Sequence, residues 1–256
     1  MKELQEKGSS MLNTVGNICE ANGITWFMAY GSLLGAIRHH GPIPWDYDID
    51  IYVPEKELER FVQVLKKELP TQYWVDYRDN NKFKRSFPRI GLSGYETEIL
   101  HVDVYRLCGL PANNIIFKLF AFWSRVLFVL WKSRVIDIDN YYPDAKRKRV
   151  SKMVKALTSW IPLDWLLIQL DKQANKIPLE AATYASCPFE TQSCAKRVDK
   201  TVFDQSILVD YDGFKVRVPK DYERYLQIEY GDWRQLPPKA ERDRQLNKMY
   251  EVKALK

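Results

Sequence analysis

The sequence predicts an α+β protein, with short strands distributed among several helices. Helical and strand patterns alternate along the chain, and no repeat or low-complexity segment interrupts them. The chain has 256 residues, of which 46% are hydrophobic and 13% aromatic, so it can bury a sizeable core and is not intrinsically disordered. An α/β architecture is the alternative that these patterns leave open.

The first third of the chain alternates between helix and strand. Asn22-Gly23 supplies a left-handed helix stop, and Pro54 ends a strand. Gly31 and Ser32 follow another strand directly, which predicts a turn before the next helix. The predicted elements are a helix over residues 11–19, a strand over 24–30, a helix over 33–38, a strand over 48–53 and a helix over 55–67.

The rest of the chain adds strands and a long helical region. In one strand His101, Asp103 and Tyr105 alternate with apolar residues and therefore share a face. The predicted elements are strands over residues 89–92 and 98–107, helices over about 113–134 and 162–176, and a hairpin of strands over 207–209 and 214–218. No linker clearly divides the chain, so residues 1–256 are predicted to form a single domain with a helical insertion at about 113–198.

Charge and cysteine content restrict the compartment and the partners. There are 39 Lys and Arg against 33 Asp and Glu, and the formal net charge of +6 favours anionic partners. The basic residues are dispersed and match no recognition module, so nucleic acid is not expected as a partner. Four cysteines do not form a disulfide framework, and Cys187 and Cys194 fit no standard zinc spacing. Residues 1–10 are polar and lack the apolar segment of a signal peptide, so we expect a cytoplasmic protein.

Asp48 and Asp50 are the first candidates for chemistry. Residues two apart on a strand point to the same face, so these carboxylates lie side by side while Ile49 and Ile51 face the core. Two adjacent anions repel unless a cation lies between them, and Mg²⁺ commonly binds through one or two carboxylates plus substrate phosphates. The alternative is a solvated strand face at the edge of a sheet.

Neighbouring residues favour the metal site. A turn at Gly31 and Ser32 exposes backbone N–H groups where a phosphate can approach. Asp103 is a candidate third carboxylate, and Arg38 beside His39 adds positive charge that could hold a second phosphate oxygen. In this order the features predict a metal-dependent nucleotide transferase.

Three stretches resemble the signature of the LicD family, the bacterial phosphocholine transferases related to fukutin and fukutin-related protein. The first is AYGSLLGAIRHHGPIPWDYDIDI at residues 29–51, and the second is HVDVY at residues 101–105. The third runs from VPKDY at residues 218–222 through YGD at 230–232 to LPP at 236–238. The resemblance touches both ends of the chain and leaves residues 113–198 unmatched.

The resemblance implies a nucleotidyltransferase-like fold, a mixed sheet flanked by helices, that transfers a phospho-alcohol from a CDP-linked donor to a glycan hydroxyl. It implies that Asp48 and Asp50 bind Mg²⁺, or Mn²⁺ in its place, with Asp103 as the third carboxylate. Gly31 and Ser32 would form the phosphate cradle.

Three positions depart from the family pattern. Tyr47 stands where an acidic residue is frequent, so a carboxylate role there passes to Asp46 or is absent. Ser32 replaces the usual Thr and keeps the hydroxyl. Asp212 stands in the place of a Glu, which keeps the charge and shortens the reach.

The implied mechanism leaves two donor phosphates open to attack. Attack at the phosphorus distal to cytidine transfers the phospho-alcohol and releases CMP, whereas attack at the proximal one transfers the nucleotide. The metal would bridge both phosphates and neutralise charge on the leaving CMP, with Asp103 as the candidate general base. A choline head group would bind aromatic ring faces, and a ribitol donor would need polar groups. The aromatic candidates, most of them expected in the core, are Trp45, Tyr47, Trp74 and Tyr77.

The long helix contains an apolar stretch at residues 115–131, and the basic run Lys146-Arg147-Lys148-Arg149 follows it. The preferred interpretation is a buried core helix followed by a solvated charge run. The alternative is a helix that lies in the membrane interface. In that case the protein would be peripheral on the inner face of the cell membrane, where a lipid-linked glycan acceptor would lie.

We therefore expect an Mg²⁺-dependent phosphotransferase that uses a CDP-alcohol, first of all CDP-choline, on a cell-surface glycan precursor. That precursor would belong to lipopolysaccharide, teichoic acid or capsule. Two alternatives remain, a nucleotidyltransferase that adds CMP or AMP to a small molecule and a catalytically silent membrane-associated scaffold.

Overall fold

The computed structural model describes the chain except residues 79–83, 96–99, 143, 190–195 and 255–256. Its helices are α1 (Lys2–Ala21), α2 (Tyr30–His39), α3 (Leu58–Glu68), α4 (Asn114–Val135), α5 (Ile138–Tyr141), α6 (Ala145–Leu157), α7 (Leu163–Ala174), α8 (Tyr222–Tyr230) and α9 (Lys239–Ala254). Its strands are β1 (Phe27–Met28), β2 (Ile49–Pro54), β3 (Tyr73–Asp76), β4 (Arg89–Leu92), β5 (His101–Leu110), β6 (Tyr184–Ser186), β7 (Val198–Asp199), β8 (Ser206–Tyr211) and β9 (Phe214–Pro219).

The chain divides into two compact units. The first comprises Met1–Val75, Phe87–Arg106 and Thr201–Lys256, and the second comprises Asp76–Ser86 and Leu107–Lys200. The helical region predicted at about 113–198 therefore falls within the second unit.

The first unit holds a mixed sheet in the order β1-β2-β5-β4-β3, so the α+β class is confirmed. β1 pairs antiparallel with β2, and β4 pairs antiparallel with β5, where Arg89 lies opposite Asp103. Ile51, Val102 and Val104 are fully buried and form part of the core below these strands. The antiparallel hairpin β8-β9 is a separate sheet that contacts β1 and α1.

Helix α1 begins nine residues earlier than its apolar pattern predicts. Its first turns carry the i,i+4 ion pairs Lys2–Glu6 and Lys7–Glu3, both at 3.7 Å, while Leu4 is buried. Such pairs support a polar helical surface that a search for apolar periodicity does not detect.

The second unit contains the C-terminal half of β5, which pairs with β6, and β6 pairs in turn with β7. Helix α4 packs against α6 and α7. The buried Gln173 of α7 donates to the carbonyl oxygen of Phe120 (3.2 Å) and to Ser124 Oγ (3.0 Å) on α4. This satisfied polar bridge fixes how the two helices pack.

Most predicted elements are confirmed with small shifts of their ends. The main correction is that α2 begins at Tyr30, so Gly31 and Ser32 lie in the first turn of a helix and not in a turn before it. The predicted strand over residues 24–30 is reduced to Phe27–Met28. The elements that were not predicted are helices α5, α6, α8 and α9 and strands β3, β6 and β7. Residues 98 and 99 of the predicted strand 98–107 lie outside the described residues.

The cysteines that the structure describes lie inside the core. Cys19, Cys108 and Cys187 are buried, and burial raises the pKa of the Cys19 thiol. Cys194 lies outside the described residues.

Candidate active site

Two carboxylates flank the first residue of β2. The Asp48 side chain is 50% exposed, and Asp50 is partly buried. Ile49 and Ile51 alternate with them and are buried in the core. The alternation predicted from the sequence is present, and it directs the carboxylates away from the core.

The first turn of α2 is bonded directly to this strand. Ala29 N donates to the carbonyl oxygen of Asp50 at 2.9 Å. The buried hydroxyl of Ser32 accepts from Asp50 N at 2.8 Å and donates to the carbonyl oxygen of Asp48 at 3.3 Å. The Ser32 side chain therefore fixes the position of the carboxylate strand. A phosphate at this helix end would meet backbone N–H groups, which a first turn leaves without intrahelical acceptors.

Asp46 lies at the same end of α2. A Cβ atom added to Gly31 would be 3.0 Å from Asp46 Oδ2. Asp46 Oδ1 accepts from the backbone N–H groups of Tyr47 (2.9 Å) and Asp48 (3.4 Å). Burial raises the pKa of this carboxyl, and the two backbone hydrogen bonds oppose that rise. Asp46 shapes the loop before β2, and the absence of a side chain at Gly31 leaves room for it.

Asp103 is held by an arginine on the neighbouring strand. Arg89 Nε donates to Asp103 Oδ1 at 2.5 Å, and Arg89 Nη2 donates to Asp103 Oδ2 at 2.8 Å. Both residues are buried. The pair is a bidentate arginine–carboxylate contact across β4 and β5, and it neutralises much of the charge that Asp103 would otherwise offer a cation.

His101 joins the two predicted groups of carboxylates. Its Nε2 lies 3.9 Å from Asp48 Oδ1 and 3.6 Å from Asp103 Oδ2, and the side chain is 6% exposed. The structure therefore brings Asp48 and Asp103 to the same buried imidazole.

Arg38 and His39 lie at the other end of α2. Arg38 Nη1 donates to the carbonyl oxygens of Trp233 (2.8 Å) and Gln235 (3.2 Å), which ties α2 to the C-terminal segment. The His39 ring contacts Trp45 edge to face at 5.7 Å, and its pKa is lowered by burial and by nearby Arg38. These contacts are with the protein itself, so phosphate binding by Arg38 or His39 stays a prediction.

Asp212 occupies the tip of the β8-β9 hairpin. Its φ is +51°, in the left-handed region, and its N–H donates to the carbonyl oxygen of His40 at 2.8 Å. The hairpin tip therefore caps the C-terminal end of α2 through the backbone of Asp212.

The aromatic candidates for a head-group site are used in packing. Trp45 contacts His39, and a Cβ on Gly91 would be 1.9 Å from the Trp74 ring. Tyr77 belongs to the second unit and is buried. These contacts accordingly give no support to a choline-binding box, and Trp45 and Tyr47 both lie in the loop between α2 and β2, with Tyr47 next to Asp48 in sequence.

The carboxylates fit a metal ion only in part. Among residues that the structure describes, no three His, Cys, Asp or Glu side chains are arranged to hold a metal by themselves. Asp48 and Asp50 provide the oxygen ligands that Mg²⁺ prefers, and Mg²⁺ characteristically completes its shell with water and substrate phosphates. The geometry fits a two-carboxylate site better than a cage of three, because Asp103 is engaged by Arg89.

Sequence reasoning missed three residues of this site. Arg89 is the charged first residue of a strand, and His101 was noted only for sharing a face with Asp103. Tyr30 begins α2 with φ +44°, and its N–H donates to the buried Tyr225 hydroxyl at 3.3 Å. The charge of Arg89 at a strand position could have indicated a partner on the neighbouring strand. The Tyr30–Tyr225 contact joins residues 195 positions apart, and no sequence pattern indicates it.

The site region matches a known family. Residues 23–125 match the family described as LicD/FKTN/FKRP, nucleotidyltransferase domain. This range includes every carboxylate of the candidate site except Asp212.

Individual relatives extend that similarity. The chain is 24% identical over 253 residues to lipopolysaccharide cholinephosphotransferase LicD of Haemophilus influenzae, and the alignment covers 94% of each chain. It is 33% identical over 107 residues to human ribitol 5-phosphate transferase FKRP, covering 41% of this chain and 20% of the relative. It is 31% identical over 114 residues to mannosyltransferase regulator 4 of Saccharomyces cerevisiae, covering 44% and 8%. The resemblance seen in the sequence is confirmed, and only the first of these three alignments includes nearly the whole chain.

Proposed function

We propose that the chain, which resembles the LicD family, is a phosphotransferase that moves a phospho-alcohol from an activated donor to a hydroxyl of a cell-surface glycan precursor. The observation that carries this proposal is the combination of a relative aligned over 94% of the chain and the carboxylate strand held against the first turn of α2. A helix N-terminus favours phosphate binding, and paired carboxylates can hold the metal ion that phosphoryl transfer commonly uses.

Phosphocholine is the group we propose to be transferred, with CDP-choline as donor and lipopolysaccharide as the first acceptor to test. The support is that the relative aligned with almost the whole chain is named a lipopolysaccharide cholinephosphotransferase. The alignment with the ribitol 5-phosphate transferase covers only 41% of this chain. A ribitol donor is the alternative that the shared domain allows.

We propose that Asp48 and Asp50 hold Mg²⁺, together with the donor phosphates. When bound, the ion would supply charge neutralisation at the two phosphates. The first turn of α2 would orient the donor through backbone N–H groups at Gly31 and Ser32. His101 and Asp103 are buried, so water is partly excluded from the part of the site that they line.

The transfer is a single displacement at the phosphorus distal to cytidine. The acceptor oxygen forms a bond to that phosphorus, the bond to the CMP oxygen breaks, and the hydroxyl proton leaves with a base. Asp103 remains our proposed base, and its bidentate contact with Arg89 fixes the position of its carboxylate. An Arg89-bound carboxylate also serves as a rigid anchor for the site.

The proposal is tested by donor binding and by turnover. Thermal unfolding is measured with and without Mg²⁺ in the presence of CDP-choline, CDP-ribitol, CTP, ATP or CMP. A ligand at about 100 times its Kd stabilises by about 2.7 kcal/mol, so metal-dependent stabilisation by CDP-choline above CMP is expected. CMP release with purified lipopolysaccharide as acceptor then measures transfer.

Asp48→Asn and Asp50→Asn should each lower turnover by about a hundredfold or more, because each removes a negatively charged ligand of the Mg²⁺ that would offset the phosphate charge. Asp210→Asn is the matched control, since this exposed carboxylate is on the β8-β9 hairpin and pairs only locally with Lys215 at 2.8 Å. Full activity of both site variants would overturn the proposal. Stabilisation by CTP or ATP with a nucleotidylated product and free pyrophosphate would instead select nucleotidyl transfer.

A further inference from the structure

Helix α4 is apolar on two faces, and only one of them is covered. Phe117 and Phe120 are buried and cluster with Leu110 of β5. On the other face Ile115, Leu119 and Phe122 recur at positions i, i+4 and i+7 and are 71%, 65% and 66% exposed. Removing such side chains from water is favourable, so an exposed apolar stripe of this kind indicates a surface that contacts a membrane or another molecule.

Helix α6 is amphipathic yet buries none of its residues. Val150, Met153 and Leu157 follow one another at i, i+3 and i+7, and all three are exposed. A 13-residue helix of this kind is marginal in water unless its apolar face is covered.

Exposed aromatic residues continue the same region. Trp160 follows α6 and is 79% exposed, and Trp165 on α7 is 43% exposed. Among the large hydrophobic residues exposed in the described parts of the chain, 12 of 15 belong to the second unit, so exposure is concentrated there. Tryptophan is enriched where one side of a protein meets the lipid–water interface.

The same helices carry the positive charge of the protein. Residues 114–176 contain 12 Lys and Arg against 5 Asp, a net +7, while the whole chain carries +6. The remainder of the chain is therefore slightly negative. In α6 the basic residues Lys146, Arg149 and Lys155 are exposed on the helix that bears the apolar stripe.

We propose that helices α4, α6 and α7 form a surface that binds an anionic phospholipid bilayer, lying in its interface. Charge complementarity selects this occupant, because a net +7 attracts anionic head groups while the exposed apolar stripes enter the acyl boundary. A neutral or basic protein partner would gain no electrostatic attraction from this positive charge.

Helix α4 lies on the bilayer and does not cross it. By length and composition it is long and apolar enough to span a membrane, with a mean hydropathy of 1.5 over its most apolar window. Its buried face, however, packs within the second unit, where Gln173 of α7 bonds to it. Lys118 and Arg125 on its exposed surface also favour an interfacial position over a spanning one.

This surface is independent of the proposed transfer reaction, so each can fail without the other. The first measurement is flotation of the full chain with vesicles of phosphatidylcholine alone or of phosphatidylcholine with about one third phosphatidylglycerol. Binding is expected to the second kind only, and it should weaken at high salt because the electrostatic attraction is screened.

Two variants separate charge from apolar contact. Neutralising Lys146, Arg149 and Lys155 to Gln should weaken binding roughly a hundredfold, at about fivefold per residue. Changing Met153 and Leu157 to Ser should weaken it by at least about tenfold, and both variants should keep their fold because these residues are exposed. The matched controls change exposed residues of the first unit and should bind as the unmodified chain does. One control changes Lys66, Lys67 and Lys239 to Gln, and the other changes Leu208 and Leu236 to Ser.

Four results would overturn the proposal. They are absence of binding to anionic vesicles, equal loss in the first-unit controls, resistance of the vesicle-bound chain to alkaline carbonate, and self-association in solution that Met153→Ser with Leu157→Ser abolishes. The third would indicate a spanning helix and the fourth a second copy of the chain as the occupant.

Discussion

At the residue scale, the candidate site depends on the hydroxyl of Ser32. It is buried, it accepts from Asp50 N and it donates to the Asp48 carbonyl, so one atom positions both carboxylate residues of β2. Thr retains this hydroxyl and Ala does not. The residue type at this position therefore matters through these hydrogen bonds.

Ser32→Ala should destabilise the protein by about 1–3 kcal/mol, because the partly buried Asp50 N–H loses its acceptor. Ser32→Thr keeps the hydroxyl and should lie closer to the unmodified chain. Urea denaturation of the three proteins measures this difference. Equal stability of the Ala variant and the unmodified chain would show that the bond contributes nothing.

The Arg89–Asp103 pair is the other decisive contact at this scale. Arg89→Met leaves a buried carboxylate without its cation and should cost about 3–5 kcal/mol. The double variant Arg89→Met with Asp103→Leu removes both charges and should recover much of that loss. Lys215→Met breaks the exposed Lys215–Asp210 pair and should cost less than about 1 kcal/mol. Chemical denaturation of all three compares a buried with an exposed ion pair, and similar losses for the two single variants would contradict the argument.

At the element scale, helix α2 is positioned by close backbone approach as well as by hydrogen bonds. Gly35 faces the loop that follows the helix, and a Cβ added there would be 2.7 Å from the carbonyl oxygen of Gly41. The loop between α2 and β2 is held from the other side by Gln5 of α1, whose Nε2 donates to the carbonyl oxygens of Ile43 (2.9 Å) and Asp46 (2.8 Å). Helix α1, helix α2 and the loop between α2 and β2 therefore together set the distance from α2 to the carboxylate strand.

Gly35→Ala should destabilise by about 1–3 kcal/mol, because the added methyl meets a backbone atom that cannot rotate away. Gly8→Ala on α1 is the control. Its Cβ would meet the end of the flexible Ile49 side chain at 2.8 Å, and the gain in helix propensity offsets that strain. Thermal unfolding separates the two, and an unchanged Tm for Gly35→Ala would refute the close-approach argument.

At the scale of the whole molecule, contacts between distant parts of the chain build the first unit. Arg217 of β9 donates to both carboxylate oxygens of Glu20 on α1, and Trp26 Nε1 donates to Glu20 Oε1 at 3.1 Å. The Arg217 hydrogen bond lowers the pKa of Glu20. This contact joins residues 197 positions apart.

The Glu20 contact makes stability depend on pH in a defined direction. Because the pKa is lower in the folded state, the stabilisation is present above the ordinary Glu range and is lost as the pH falls through the lowered value. Glu20→Gln should therefore cost up to about 1 kcal/mol near neutral pH, since the pair is partly exposed, and less at about pH 3. Denaturation at both pH values measures the difference between the two proteins. A difference that does not shrink in acid would show that the ionised pair is not its source.

The sequence by itself determined the fold class of this protein and the family that it resembles. Alternation over residues 48–53 and 101–105 predicted carboxylates on strand faces, and the motif at residues 29–51 carried the resemblance to the LicD family, because period-two patterning and contiguous motifs are local properties of a chain. Even the boundary error at Gly31 and Ser32 was local, since apolar periodicity does not show where the first turn of a helix begins.

Only the tertiary structure decided which groups meet. Asp103 turned out to be paired with Arg89 across two strands, and Arg38 with the carbonyl oxygens of Trp233 and Gln235. Periodicity predicted the apolar helix α4, but it could not show that one apolar face is buried and the other exposed. Partners that are distant in sequence and the burial of a given face follow from how elements pack, and no local pattern encodes that packing.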